Sequence, residues 1–123
     1  MPDSIPIIDS SAVENLRALG DNDGGAFLRE ILGIYFADMP ARLRELRERL
    51  AEGDQSGFTR AAHTIKGSSA NVGAARVRAM AEEIEVRSRT SPIKELAGEV
   101  ERLADLFDEA RRELSSEMGE GKS

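Results

Sequence analysis

The chain holds a single histidine, His63, in the run Ala61-Ala62-His63-Thr64-Ile65-Lys66-Gly67-Ser68-Ser69-Ala70-Asn71-Val72-Gly73-Ala74. With Phe58 at zero and about 100° of rotation per residue, Ala62, Ile65, Ser69 and Val72 fall within about 40° of it, the pattern of a helix with one apolar side. By the same arithmetic His63 falls about 140° away, beside Thr59, Lys66 and Gly67. A histidine serving the core would share the face of Phe58 and Ile65; this one points to water. Neutral imidazole, with an ordinary pKa of about 6.5, is available as a nucleophile near neutral pH. A phosphoryl group taken up on a ring nitrogen brings about two negative charges. Lys66, three residues on, lies on the adjacent face and can reach such a group as a mobile point charge. Gly67 leaves a gap beside the ring, at a cost to the helix of about 1 kcal/mol relative to alanine. A cost of that size in mid-helix points to a steric reason, such as the close approach of a large partner.

Other chemistries fit these residues less well. A solitary surface histidine is most often solvated and idle, but Lys66, Gly67 and the position opposite the core weigh against that here. One histidine and no cysteine leave only carboxylates as co-ligands for a metal. Ser68 and Ser69 could suggest a hydrolase. Yet His63 and Ser69 face roughly opposite ways, and neither serine sits in a nucleophile-elbow glycine pattern. No glycine-rich loop followed by a lysine offers to cradle nucleotide phosphates, so neither kinase nor ATPase activity is expected of the chain by itself.

These side chains need a scaffold, and the hydrophobic spacing supplies one. Residues 1–8 contain two prolines and are expected to be irregular. Asp9, Ser10 and Ser11 offer caps for a short helix carrying Val13, Leu16 and Leu19, stopped by Gly20. Asp21 to Gly25 is turn chemistry. A long helix should follow from about Ala26 to Glu52, with Leu28, Leu32, Tyr35, Met39, Leu43, Leu46 and Leu50 as its buried stripe. Pro40 interrupts it, predicting a kink or a restart capped by Asp38. Tyr35 and Phe36 occupy adjacent faces, so burial of both is not expected, and one of them is placed at the border of the His63 surface. Gly53 closes this helix and Asp54 caps the next, which carries His63 to about Asn71 before Gly73 breaks it. A fourth helix spans about Ala75 to Ser88, with Val77, Met80, Ala81 and Ile84 inward. Ser91 should cap the last helix, with Pro92 at its first position. Ile93, Leu96, Val100, Leu103, Phe107, Ala110 and Leu114 then form a heptad seam. Residues 115–123 read as a polar, flexible tail. No segment alternates as a strand. Short turns between long amphipathic helices make antiparallel neighbours, so residues 9–114 are predicted to form an all-α, up-and-down four-helix bundle with a short additional N-terminal helix.

Composition agrees. A chain of 123 residues makes one domain, and aromatics at 4 % with no tryptophan leave a core of aliphatic side chains. The net charge of −6, with basic residues interleaved among acidic ones, argues against nucleic acid as a partner. No apolar run approaches the roughly 20 residues needed to span a bilayer, and no signal peptide opens the chain. A cytoplasmic protein is expected, as a monomer, since intramolecular packing uses the heptad seam.

His63, Lys66, Gly67, Ser69, Gly73 and Ala74 match the His-x-x-Lys-Gly-x-Ser-x-x-x-Gly-Ala pattern of histidine-containing phosphotransfer (HPt) domains. The chain resembles that family over nearly its whole length, including Asp38-Met39-Pro40-Ala41-Arg42-Leu43 on the long helix and Gly53-Asp54 before the active one. The resemblance implies a four-helix bundle with a short extra N-terminal helix, a phosphorelay intermediate that takes phosphoryl groups from receiver-domain aspartates onto its own histidine and returns them. It implies His63 as phospho-acceptor, Lys66 screening the phosphate and Gly67 admitting the receiver. Ser69 then supports packing or hydrogen bonding, and Gly73 and Ala74 shape the following turn. Partners would be response-regulator receiver domains or a hybrid sensor histidine kinase. No cofactor is expected on this chain, Mg²⁺ belonging to the receiver. The alternative is a helical-bundle adaptor that binds receiver or kinase domains without phosphotransfer.

Overall fold

The Asp9 carboxylate accepts hydrogen bonds from the backbone N–H of Ser11 at 3.0 Å and of Ala12 at 3.4 Å, starting α1 (Ser10–Gly20). The structure, a computed structural model, describes residues 4–20 and 23–120, the side chains of 119 and 120 excepted. The turn residues Asp21 and Asn22 therefore lie outside the described residues, and Asp23 starts α2 (Ala26–Glu52) by accepting from the N–H of Gly25, Ala26 and Phe27. The α2 helix runs through Pro40 unbroken. Pro40 is exposed, while Met39 and Leu43 beside it are buried, so packing on the inner side carries the helix past the missing donor. Asp38 makes no cap there; it accepts from Arg42 Nε at 2.9 Å.

Gly53, in the left-handed conformation at φ 72°, ends α2 and returns its N–H to Arg49 and Leu50. Asp54 then accepts from Gly57 N–H at 3.0 Å and starts α3 (Gln55–Val72), the helix of His63. Gly73, at φ 79°, closes α3 and leads directly into α4 (Ala75–Ser88). These two-residue connections force antiparallel neighbours. After α4, Pro92 stands outside the helix with extended angles, and Ile93–Leu96 forms a 3-10 turn before α5 (Ala97–Glu120). Ser91 is not its cap: Pro92 stands at the N-cap position of the 3-10 turn, with no side-chain cap hydrogen bond, and the turn buries Ile93 and Leu96.

Packing contacts run α2–α3, α3–α4, α4–α5 and α5–α2, closing a four-helix bundle, while α1 lies against α2 and α3. The sequence stripes point inward: Leu32, Met39, Leu46, Phe58, Ile65, Ile84, Leu103 and Leu114 are wholly or nearly wholly buried. At about 1.5–3 kcal/mol for each large side chain, this burial is the main force holding the helices together. No strand occurs among the described residues.

Two further sequence expectations are corrected, and a third gains detail. Tyr35 and Phe36 are both buried. The Tyr35 ring meets Phe107 edge-on at 5.7 Å, and Arg111 covers Phe36 at 5.4 Å from its centroid. Residues 115–120 continue α5, because Arg17 of α1 binds both the carbonyl and the carboxylate of Glu117 at 2.9 Å and Met118 packs on the core. Residues 4–8 do lack regular helix, but they are fastened: Asp9 N–H donates to the Gly73 carbonyl at 2.7 Å, and Arg76 binds the Ile5 carbonyl.

Candidate functional site

Burial of Phe58, Ala62, Ile65 and Ser69 fixes the rotation of α3 about its axis and so turns His63 outward. Its side chain is 64 % exposed. Behind it, on α4, lies a carboxylate, Glu85, whose side chain is only 4 % exposed. Glu85 Oε2 is 2.9 Å from His63 Nδ1 and 2.8 Å from an Arg89 guanidinium nitrogen, and Oε1 forms an ion pair with Lys66 Nζ at 2.8 Å. Burial pushes the Glu85 carboxyl up, but Lys66 and His63 together outweigh burial and hold it below the ordinary glutamate range. An ionised carboxylate only accepts, so the partner satisfied at Nδ1 is an N–H. The neutral ring then keeps its lone pair on Nε2, on the edge away from Glu85.

The structure thus brings His63 and Lys66 together, but through Glu85. Lys66, placed by sequence as a mobile charge, is half-buried and fastened inward. Gly67 lies one turn beyond His63 on the same exposed side, and a Cβ added there would meet nothing within 4 Å. Ser69 is fully buried, its hydroxyl 2.8 Å from the Tyr35 hydroxyl; burial pushes the Tyr35 phenol well up, more than this bond draws it down. Gly73 and Ala74 make the α3–α4 turn, with Ala74 fully buried.

On the N-terminal side of His63, a groove of about 500 Å³ is lined by Gln55, Ser56, Thr59 and Arg60 from α3, Glu85 from α4 and Arg89 just past the end of α4. Its floor is tied across the helices: Gln55 Nε2 donates to the Ser88 carbonyl at 2.6 Å, and the Thr59 and Ser88 hydroxyls lie 2.6 Å apart. On the other side, a smaller recess of about 220 Å³ between α2 and α3 is bordered by Ile31, Ile34, Asp38, Ser68 and Asn71. Ile34 is 60 % exposed there.

Sequence reasoning missed Glu85 and Arg89. A signal existed: four residues after Ala81, Glu85 falls on the inner stripe of α4, where a carboxylate demands a cationic partner. Among the described residues, no three side chains of histidine, cysteine, aspartate or glutamate converge as a metal site.

An exposed imidazole on one helix of a four-helix bundle, braced from behind and bordered by open surface, is the arrangement to set beside known proteins. The Hpt domain family model matches residues 30–113, about two thirds of the chain, and the chain belongs to that family. It is 29 % identical over 92 residues to Multistep phosphorelay regulator 1 of Schizosaccharomyces pombe. That match covers 72 % of this chain and 31 % of the relative, so the chain spans about a third of the relative's length. Among solved structures, histidine-containing phosphotransfer protein B (HptB) of Pseudomonas aeruginosa shares the fold with a TM-score of 0.80 at 24 % identity, over 94 % of this chain and 96 % of that one. The HPT domain of a sensor hybrid histidine kinase from Shewanella aligns with a TM-score of 0.66 at 17 % identity, over 88 % and 92 % of the two chains.

Proposed function

We propose that the chain is a histidine phosphotransfer protein of a two-component phosphorelay. His63 accepts a phosphoryl group from an aspartate of a receiver domain and passes it to another. The observation that carries this is the exposed imidazole of His63, braced at Nδ1 by a buried carboxylate and bordered by the open surface at Gly67. A transferred phosphoryl group has little covalent chemistry for the protein to do, so positioning and charge decide the rate. Lys66 stands three residues from His63 to screen the phosphate, and Gly67 lets the receiver's surface close over the ring. Receiver domains and hybrid sensor histidine kinases are the partners. Mg²⁺ sits on the receiver, with no cofactor on this chain, and the protein works as a cytoplasmic monomer. No described helix is long and apolar enough to cross a membrane, which agrees with that placement.

The test is to offer a phosphorylated receiver panel to the wild type and to His63→Gln, measuring transfer and binding separately. The wild type should take up phosphate and the glutamine variant none, with receiver binding retained. Equal labelling of both proteins would remove His63 from its role. Binding indifferent to His63 with no label on either would replace the relay by an adaptor.

A further inference from the structure

Two arginines, Arg60 and Arg89, line the groove beside His63, and they differ in how their charge is used. Arg89 and Lys66 both close on Glu85, at 2.8 Å each, so that carboxylate cancels one of their two charges. Arg60 stands one turn before His63 on α3 and is exposed. Among the described residues, no carboxylate pairs with its guanidinium. Two other polar side chains of the groove, Gln55 and Thr59, are tied to Ser88. Side chains on a helix lean toward its N-terminus, so His63 lies over the turn that carries Thr59 and Arg60 and lines the groove with them. A phosphoryl group on the ring brings about two negative charges, more than the single positive charge that Lys66, Arg89 and Glu85 leave in excess. Resting on the relay function above, we propose that Arg60 binds the phosphoryl group of phosphorylated His63. Residues three apart are neighbours on a helix, and the planar guanidinium can take two phosphoryl oxygens at once. In the transfer step the Nε2 lone pair forms the N–P bond while the P–O bond of the donor acyl phosphate breaks, its electron pair leaving on the donor carboxylate. The three phosphoryl oxygens cross with their charge, and Arg60 meets that charge only once it is on this chain. A contact present only in the phosphorylated form draws the partition of phosphate from the receiver toward His63.

Two measurements test this. In the first, wild type carrying ¹³C,¹⁵N-arginine is phosphorylated with phosphoramidate, a small donor that needs no receiver, and the Arg60 guanidinium is followed by NMR, assigned by its loss in Arg60→Lys. Its signal should shift on phosphorylation. In the second, each protein is brought to equilibrium with a phosphorylated receiver at low salt. The ratio of phosphate on His63 to phosphate on the receiver should fall about three- to fivefold in Arg60→Ala, the scale of an exposed ion pair. Arg60→Lys, which keeps the charge and loses the fork, should fall between. Arg112→Ala removes the same charge from α5, which packs on α2 and α4, and should leave the ratio unchanged. An unmoved guanidinium signal overturns the proposal, even beside a lowered ratio, because Arg60 would then act on the receiver's surface and not on the phosphate. An unchanged ratio in Arg60→Ala overturns it too, as does an equal fall in Arg112→Ala, which would trace the effect to net charge. A protein labelled by phosphoramidate and by no receiver counts against the relay, while the spectrum still decides Arg60. One labelled by a receiver alone is read by the same spectrum, and one labelled by neither overturns both.

Discussion

At Gly67, a missing side chain leaves space that the folded protein does not use, since an added Cβ would meet nothing within 4 Å. Gly67→Ala should therefore stabilise α3 by up to about 1 kcal/mol in urea unfolding. Gly67→Leu should fold equally well yet fail to exchange phosphate with a receiver. Wild-type transfer by the leucine variant would remove the steric role of this glycine. Tyr35 and Ser69 make the contrasting pair: a buried hydroxyl contact of 2.8 Å away from the exposed ring. Tyr35→Phe leaves the Ser69 hydroxyl without this partner and should cost about 1–2 kcal/mol of stability, with transfer unchanged. His63, Lys66 and Gly67 were legible in the sequence because helical periodicity alone separates outer from inner positions. Glu85 was not, because a glutamate among the Arg and Glu of α4 looks solvated until the α3–α4 packing closes over it. Its inner-stripe position was the available clue, and the contact with His63 required the register between two helices, which no single stripe contains.

The elements that carry the site are started and stopped by local chemistry, which is why their bounds could be read closely. Asp54 caps α3 through Gly57 N–H at 3.0 Å, and Asp54→Ala should lower stability by about 1 kcal/mol in the same assay. Gly73 turns α3 into α4 at φ 79°, and a Cβ there would lie 2.9 Å from the Asp9 carbonyl oxygen. Gly73→Ala should thus cost more than about 1 kcal/mol, from left-handed strain and from displacing the N-terminal segment; a neutral effect would show that this segment does not press on the turn. Where sequence reasoning erred, tertiary packing outweighed a local signal. At Pro40 the expected alternative of a restart capped by Asp38 fails and α2 runs on, because the buried residues on either side of it hold the helix against its neighbours. Tyr35 and Phe36 are both buried because α2 packs on both α3 and α5, so its buried arc is wider than one stripe. The end of α5 looked like a tail by composition, yet Arg17 of α1 fastens Glu117.

Across the whole molecule, ion pairs join the four bundle helices in series. Lys66 of α3 meets Glu85 of α4, Arg87 of α4 meets Glu99 of α5 at 2.7 Å, and Arg47 of α2 meets Glu101 of α5 at 2.9 Å. Burial pushes Glu85 up, but its partners hold it low; Arg87 holds Glu99 low and Arg47 holds Glu101 low. Carboxyls lowered in the folded state contribute stability that is complete above their ordinary value of about 4.3. That contribution is lost as pH falls through the lowered folded values. Unfolding free energy should accordingly hold steady from neutral pH to about 5 and then decline, with a shallower acid decline in Glu85→Gln. An identical acid profile in that variant would show that Glu85 is not held low by its neighbours. The bundle these contacts hold together presents one imidazole, so the central claim is tested most directly by the stability of the bond it forms. Wild type should be labelled from a phosphorylated receiver and the label challenged with acid and alkali. A label lost in acid, kept in alkali and absent from His63→Gln is the result predicted for phosphohistidine at this residue. An acid-stable label, or one that survives in the glutamine variant, would contradict it.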